Sequence, residues 1–135
     1  MDPAHVNYAG AAVAAVSAFL FGGLWYSPLL FEGPWKRATG ITDDQLKSAM
    51  GRIFGGSFAL SVVSSINLAF FLAGGAPDLG WGIAAGLLAG VGWVATSLGV
   101  TYLFERRPLA LYAIDAGYHV VTFALMGAIL GVWKK

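Results

Sequence analysis

Asp115 and His119 are the residues of this sequence with the clearest capacity for chemistry. They lie four residues apart in the long apolar segment 109–133, so on a helix their side chains face the same way. A carboxylate and an imidazole at this spacing can fix a helix contact, exchange a proton or bind a solute. Inside a bilayer such a charge costs roughly 2.5–3.5 kcal/mol at the centre, so the pair requires polar partners from neighbouring helices.

Hydroxyl side chains from three other apolar segments are the expected partners. Because consecutive membrane helices alternate in direction, the first segment ends, the second begins and the third ends near the depth of Asp115. We define the predicted polar cluster as Asp115, His119, Tyr26, Ser57, Ser61, Thr101 and Tyr118, with Ser97 and Tyr102 as further hydroxyls at the same end of the third segment.

Three interpretations of the polar cluster stay open. Asp115 can stabilise helix packing by accepting hydrogen bonds, the Asp115–His119 pair can titrate as a proton or solute site, or the cluster can bind a ligand or catalyse a reaction. His119 could also ligate a haem or a pigment, but a lone histidine is weak evidence for either. We therefore predict no cofactor.

Most enzymatic and nucleic-acid-binding classes are excluded by what the sequence lacks. It has no cysteine, phosphate-binding loop, dinucleotide fingerprint, zinc-protease motif or nucleophile elbow. The formal net charge of +1 provides no basic surface for a nucleic acid. We therefore predict a non-enzymatic protein with no catalytic residues and no metal site.

Composition identifies the chain as a membrane protein. Of its 135 residues, 58% are hydrophobic and 11% are charged, whereas soluble domains average about 45–50% and about 25%. Four segments, at about 8–31, 53–72, 81–104 and 109–133, are long and apolar enough to cross a bilayer as helices. The predicted fold is an all-α membrane protein, a compact bundle of four transmembrane helices in one domain.

The loop between the first two helices, 32–52, is predicted to be ordered. Pro34 favours the start of a short helix, 35–39, which Gly40 ends. Thr42 and Gln45 are spaced as a capping box, so the second membrane helix is predicted to begin near Asp43.

The distribution of basic residues predicts the orientation of the chain. One side of the membrane holds Lys36, Arg37, Lys47, Arg52, Arg106 and Arg107, and the other holds Lys134 and Lys135. Because cytoplasmic loops are richer in Lys and Arg, the loop 32–52 is predicted to be cytoplasmic and both termini to lie on the opposite side.

Small residues spaced four apart form ridges that allow close helix packing. The ridges are Gly82, Gly86 and Gly90 in the third segment, Gly127 and Gly131 in the fourth, Gly51 and Gly55 in the second, and Gly10 with Ala14 in the first. They can pack the bundle internally or join it to another chain. Because every segment has one, we predict a homo-oligomer or a larger membrane-protein complex.

The ends of the first and third segments share a short pattern. Leu-Phe-Glu at 30–32 is followed by Pro34, and Leu-Phe-Glu at 103–105 is followed by Pro108. A duplication would make the bundle two helical hairpins in parallel repeat. Three matching residues can also arise by chance, so both origins stay open.

Two blocks of the sequence resemble a known family. The first is GLWYSPLLF at 23–31, followed by Trp35 and Gly-Ile-Thr at 40–42; the second comprises LFERRPL at 103–109, DAGYH at 115–119 and MGAILG at 126–131. Together they resemble the bacterial membrane-protein family called domain of unknown function 1761, over nearly the whole chain. The resemblance implies a small four-helix integral membrane protein and brings no activity with it. It also implies that asparagine is common at the position of Asp115, which favours a structural role over a proton carrier.

The expected function is therefore that of a small integral protein of the bacterial inner membrane, with both termini periplasmic. It is expected to act through helix packing, as an oligomer or as an accessory subunit of a larger complex, and to have the bilayer as a partner. The alternative is a small-solute or proton-coupled transporter or channel that uses the Asp115–His119 pair.

Overall fold

Seven α-helices and a π-helical turn organise the part of the chain that the computed structural model describes, residues 3–75 and 77–133. The helices are α1 (Tyr8–Trp25), α2 (Glu32–Thr39), α3 (Asp43–Ser48), α4 (Met50–Leu72), α5 (Leu79–Ala89), α6 (Thr96–Phe104) and α7 (Leu109–Val132), with the π-helical turn, Gly90–Ala95, between α5 and α6. Lys134 and Lys135, used in the orientation prediction, lie outside the described residues.

Four helical segments are long and apolar enough to cross a membrane. They are α1, α4, the continuous span Leu79–Phe104 and α7. This confirms the predicted all-α fold with four membrane helices and makes the chain a multi-pass membrane protein.

The first span ends at Trp25, six residues before the predicted end at 31. Pro28 has no N–H to donate, and it disfavours the helical conformation for the residue before it. The chain turns here, and the Phe31 N–H donates to the Trp25 carbonyl at 3.0 Å. Helix α2 then begins at Glu32, earlier than predicted, and it ends before Gly40, whose φ is 74°.

The second span is preceded by a separate helix. The capping box predicted at Thr42 and Gln45 forms, with backbone-to-side-chain bonds of 3.0 and 3.1 Å. The predicted continuity from Asp43 into the membrane is wrong, because α3 ends at Ser48 and Ala49 leaves the helical conformation. The Ser48 hydroxyl donates to the Gln45 carbonyl at 2.9 Å and competes for helical hydrogen bonding there.

Lys36 holds α2 and α3 together outside the membrane. Its ammonium donates to the Asp43 carboxylate at 2.6 Å and pairs with Glu32 within α2. The hydrogen bond from Lys36 lowers the pKa of Asp43, and the same bond raises the pKa of Lys36.

Helices α5 and α7 pack with their backbones in direct contact. A Cβ on Gly82 would collide with the carbonyl oxygen of Gly127, and one on Gly86 would collide with that of Phe123. A Cβ on Gly131 would likewise meet the Asp78 carbonyl. The glycine ridges of the third and fourth spans are therefore used inside the bundle.

The bundle is more tightly packed at the end near the termini than at the other end. Near the termini, the Asn7 amide donates to the Trp133 carbonyl at 2.6 Å, and the buried Ser65 hydroxyl donates to the Ala11 carbonyl at 2.6 Å. At the opposite end, residues 51–60 of α4 are all exposed and α6 buries none of its residues. The spans therefore diverge toward the side that carries α2 and α3.

Candidate functional site

The diverging helices leave a cavity of about 540 Å³ beneath α2 and α3. Its wall is formed by Phe19, Gly22, Gly23, Tyr26, Glu32, Trp35, Leu46, Met50, Ile53, Phe54, Ser57, Leu98, Tyr102, Asp115, Tyr118 and His119. Asp115 lies six residues into α7, which is about 9 Å from the start of that helix. The cavity thus extends from the loop side into the apolar part of the bundle.

The Asp115 carboxylate joins three membrane spans. Its Oδ1 accepts a hydrogen bond from the Tyr26 hydroxyl at 2.8 Å, and its Oδ2 accepts one from the Tyr102 hydroxyl at 2.5 Å. Tyr26 caps the C-terminal end of α1, while Tyr102 lies in α6. A carboxylate has about four acceptor positions, so these two bonds leave acceptor capacity for a bound group.

Two further hydrogen bonds stabilise this arrangement. The Trp25 indole N–H donates to the Ile114 carbonyl at 3.1 Å, beside Asp115. The Tyr112 hydroxyl donates at 2.8 Å to the carbonyl of Ala95, the last residue of the π-helical turn. Gly99 permits this approach, since a Cβ there would lie 3.2 Å from the Tyr112 hydroxyl.

Aromatic rings surround the carboxylate. The Tyr118 ring centroid lies 5.3 Å from that of Tyr26 and 5.1 Å from that of His119, and Trp35 meets Tyr26 edge to face at 5.7 Å. A Cβ on Gly22 would lie 2.9 Å from the Tyr118 hydroxyl, so this glycine makes room for the tyrosine. The result is a partly buried group of aromatic rings around the Asp115 carboxylate.

The structure brings most of the predicted polar cluster together. The members that line the cavity are Asp115, His119, Tyr26, Ser57 and Tyr118. The hydrogen bonds of Asp115 come from tyrosines rather than from His119. Within the described ranges, the imidazole of His119 contacts Tyr118 and makes no hydrogen bond.

Two predicted members lie elsewhere. Ser61 is not part of the cavity wall, and Thr101 is exposed, with its hydroxyl donating to the Ser97 carbonyl of the same span at 3.3 Å. Tyr102 occupies the place expected for Thr101. The reason is the π-helical turn, which changes the rotation of every later residue in the span.

The cavity-lining residues that the predicted cluster lacks include Tyr102, Trp35 and Glu32. Tyr102 was visible in the sequence as a hydroxyl at the right end of the third span, and it is the second donor to Asp115. Trp35 and Glu32 close the cavity from α2. The sequence indicated these two residues only through the prediction that the loop 32–52 is ordered.

The site offers no evident place for a metal. Within residues 3–75 and 77–133, no three His, Asp or Glu side chains are grouped so as to hold an ion.

Comparison with known proteins identifies the family of the chain. It belongs to the family described as "Protein of unknown function (DUF1761)", whose model matches residues 10–131. This confirms the family resemblance found in the two sequence blocks. No curated protein and no solved structure matches the chain.

Proposed function

We propose that this member of the DUF1761 family is a non-enzymatic membrane protein that takes up a small solute beside Asp115, as a transporter or channel does. The observation that carries the proposal is the cavity of about 540 Å³ with a carboxylate fixed in its wall. Concave, mostly apolar sites with a few placed polar groups are typical of small-molecule binding. A purely structural clamp would need the hydrogen bonds of Asp115 but no open volume beside them.

The geometry favours this proposal over the helix-packing function expected from the sequence. That expectation depended on glycine ridges available to other chains, and the ridges of α5 and α7 are occupied by each other.

A solute site must be reached by water-soluble molecules, which gives a direct test. The chain has no cysteine, so Ser57→Cys places a single thiol in the cavity wall. We expect this thiol to react with the uncharged, hydrophilic reagent 2-hydroxyethyl methanethiosulfonate in reconstituted vesicles, because the reactive thiolate forms only where water enters.

Leu60→Cys is the matched control for this accessibility measurement. Leu60 lies in the same helix and is 69% exposed in the isolated chain, outside the cavity wall. In a bilayer its position is expected to face lipid and to react at least about tenfold more slowly than Ser57→Cys. Equal, slow modification of both thiols would contradict a hydrated cavity and with it the proposed function.

A homo-oligomer formed through α4 is the second proposal. A Cβ on Gly51 or Gly55 would meet nothing within 4 Å, so this ridge has no partner inside the described chain. Small ridges of this kind support close helix–helix contact in lipid. The same surface would suit an accessory subunit that docks on a larger membrane protein.

Substitution at the α4 ridge tests assembly without a clash inside the chain, because the ridge faces open space. Gly55→Leu is expected to convert an oligomer to a monomer, measured by mass after mild extraction, while Gly92→Leu, also in open space, leaves assembly unchanged. A monomeric unmodified protein with no stoichiometric larger partner would refute this second proposal.

We propose further that the protein lies in the bacterial inner membrane with the α2–α3 side in the cytoplasm and both termini in the periplasm. The excess of Lys and Arg on that side supports this orientation. In intact spheroplasts, Gly75→Cys should react with a membrane-impermeant maleimide, and Ser48→Cys should react only after permeabilisation. The reverse labelling pattern would invert the orientation.

A further inference from the structure

The cavity wall contains acidic side chains but no lysine or arginine. Its lining includes two carboxylates, Asp115 and Glu32, and neither a lysine nor an arginine. All six lysines and arginines on this side of the bundle lie outside the lining, whose one basic side chain is the imidazole of His119. An anionic solute would therefore meet acidic groups without a lysine or an arginine to bind it.

Two cations next to residues of the cavity wall already have carboxylate partners. Lys36 pairs with Glu32 and Asp43, and Arg107 pairs with Glu105 at 2.6 Å while its guanidinium lies 5.4 Å from the Tyr102 ring centroid. Asp115 forms no ion pair among the described residues. Both of its hydrogen bonds come from uncharged phenols, and its interactions with Arg107 and His119 are electrostatic only. Of the two carboxylates in the wall, Asp115 is therefore the one without an ion pair.

The aromatic side chains of the wall suit a cation with an apolar body. Six rings line the cavity, those of Phe19, Tyr26, Trp35, Phe54, Tyr102 and Tyr118. The face of an aromatic ring attracts a cation within about 6 Å of its centroid, and the attraction grows when water is excluded. Aromatic rings beside the Asp115 carboxylate favour a diffuse organic cation over a small hydrated ion.

We propose that the solute of this cavity is a lipophilic organic cation, of the ammonium or phosphonium class, that carries one positive charge. This inference rests on the proposed function and adds the chemical class of the solute. Asp115 supplies the opposing charge, and the rings cover the apolar substituents of the cation.

Two ions of the same shape and opposite charge test this inference. Tetraphenylphosphonium and tetraphenylborate differ in the sign of their charge, and each can be tested for protection of Ser57→Cys from 2-hydroxyethyl methanethiosulfonate. We expect the phosphonium ion to slow modification about tenfold or more and the borate ion to slow it less than about twofold.

Asp115→Asn tests the source of the selectivity. The amide keeps the size and an acceptor oxygen but removes the charge, so protection by tetraphenylphosphonium should weaken about tenfold. Asp44→Asn is the matched control, since Asp44 is an exposed carboxylate on the same side and outside the cavity wall; it should leave protection unchanged.

The possible results distinguish a failure of the cation class from a failure of the solute site itself. Equal protection by both ions, or phosphonium protection that survives in Asp115→Asn, overturns the cation class and leaves a reactive Ser57→Cys as evidence for a solute site. An unreactive Ser57→Cys overturns the solute site itself. If Asp115→Asn does not fold, the comparison of the two ions in the Ser57→Cys protein still tests whether the solute is a cation.

The ammonium group of a lipid headgroup has the same chemistry as a free organic cation. Vesicles of phosphatidylglycerol alone, compared with vesicles that also contain phosphatidylethanolamine, distinguish the two sources. Phosphonium protection that is unchanged by phosphatidylethanolamine assigns the site to a free cation. Protection that phosphatidylethanolamine abolishes overturns that assignment in favour of a lipid headgroup.

Discussion

Gly86→Ala is expected to lower the free energy of unfolding by about 3 kcal/mol, the upper part of the usual range for overpacking. The added Cβ would collide with the carbonyl oxygen of Phe123 and lie 3.1 Å from the Ala124 Cα. Both obstacles are backbone atoms of α7, which cannot rotate away as a side chain can. The two helices must separate along their whole contact, so the loss extends beyond one residue. Unfolding by sodium dodecyl sulfate in mixed micelles, followed by circular dichroism, measures the change.

Gly92→Ala provides the control within the same membrane span. A Cβ at Gly92 meets nothing within 4 Å, and the position is exposed. The substitution should therefore change the free energy of unfolding by less than about 1 kcal/mol, the size of the intrinsic difference between glycine and alanine in helices. Equal losses in Gly86→Ala and Gly92→Ala would show that the α5–α7 contact does not limit stability.

The glycine ridges show how far the sequence determines helix packing. The spacing of Gly82, Gly86 and Gly90 predicts that one face of the third span lies close to another helix. It does not identify that helix, because a small face accepts any other small face at the same depth. The structure pairs this ridge with Gly127 and Gly131 and leaves the ridge of α4 without a partner.

The end of the first span shows a limit of hydropathy. Apolar residues continue through Leu30 and Phe31, so composition alone extends the helix to that point. Pro28 ends the helix earlier, at Trp25, because the geometry that proline imposes on the backbone outweighs the apolar character of its neighbours. The consequence extends to the cavity, because the resulting turn brings Tyr26 to Asp115 and Trp35 into the cavity wall.

Tyr102 lies in the cavity wall where Thr101 was predicted, and the cause is geometrical. Thr101 follows Gly90 by eleven residues, which is about three turns of an uninterrupted α-helix, so both should share the face toward α7. The π-helical turn Gly90–Ala95 contains an extra residue and rotates the remainder of the span by about 100°. Tyr102 then takes the position that Thr101 would have had. The sequence of this turn carries no rule from which the extra residue could be predicted.

The two phenolic hydrogen bonds to Asp115 lead to the second prediction. Tyr102→Phe and Tyr26→Phe are each expected to lower the free energy of unfolding by about 1.5 kcal/mol, because hydrogen bonds to charged groups contribute about 1.5–3 kcal/mol. The phenylalanine keeps the ring contacts and removes only the hydroxyl. Tyr8→Phe is the control, since Tyr8 is 53% exposed at the other end of the bundle and should change stability little.

A double-mutant cycle assigns this cost to the carboxylate. In an Asp115→Ala background the acceptor is gone, so Tyr102→Phe should cost less than about 0.5 kcal/mol, and the difference between backgrounds measures the coupling. An equal cost in both backgrounds would show that the tyrosine acts through packing alone. Strong coupling would show that the side chain proposed to bind the solute also ties α1, α6 and α7 together. Displacement of either tyrosine by a bound solute would then loosen the contact between these spans, and so connect solute uptake to a rearrangement of the open end of the bundle.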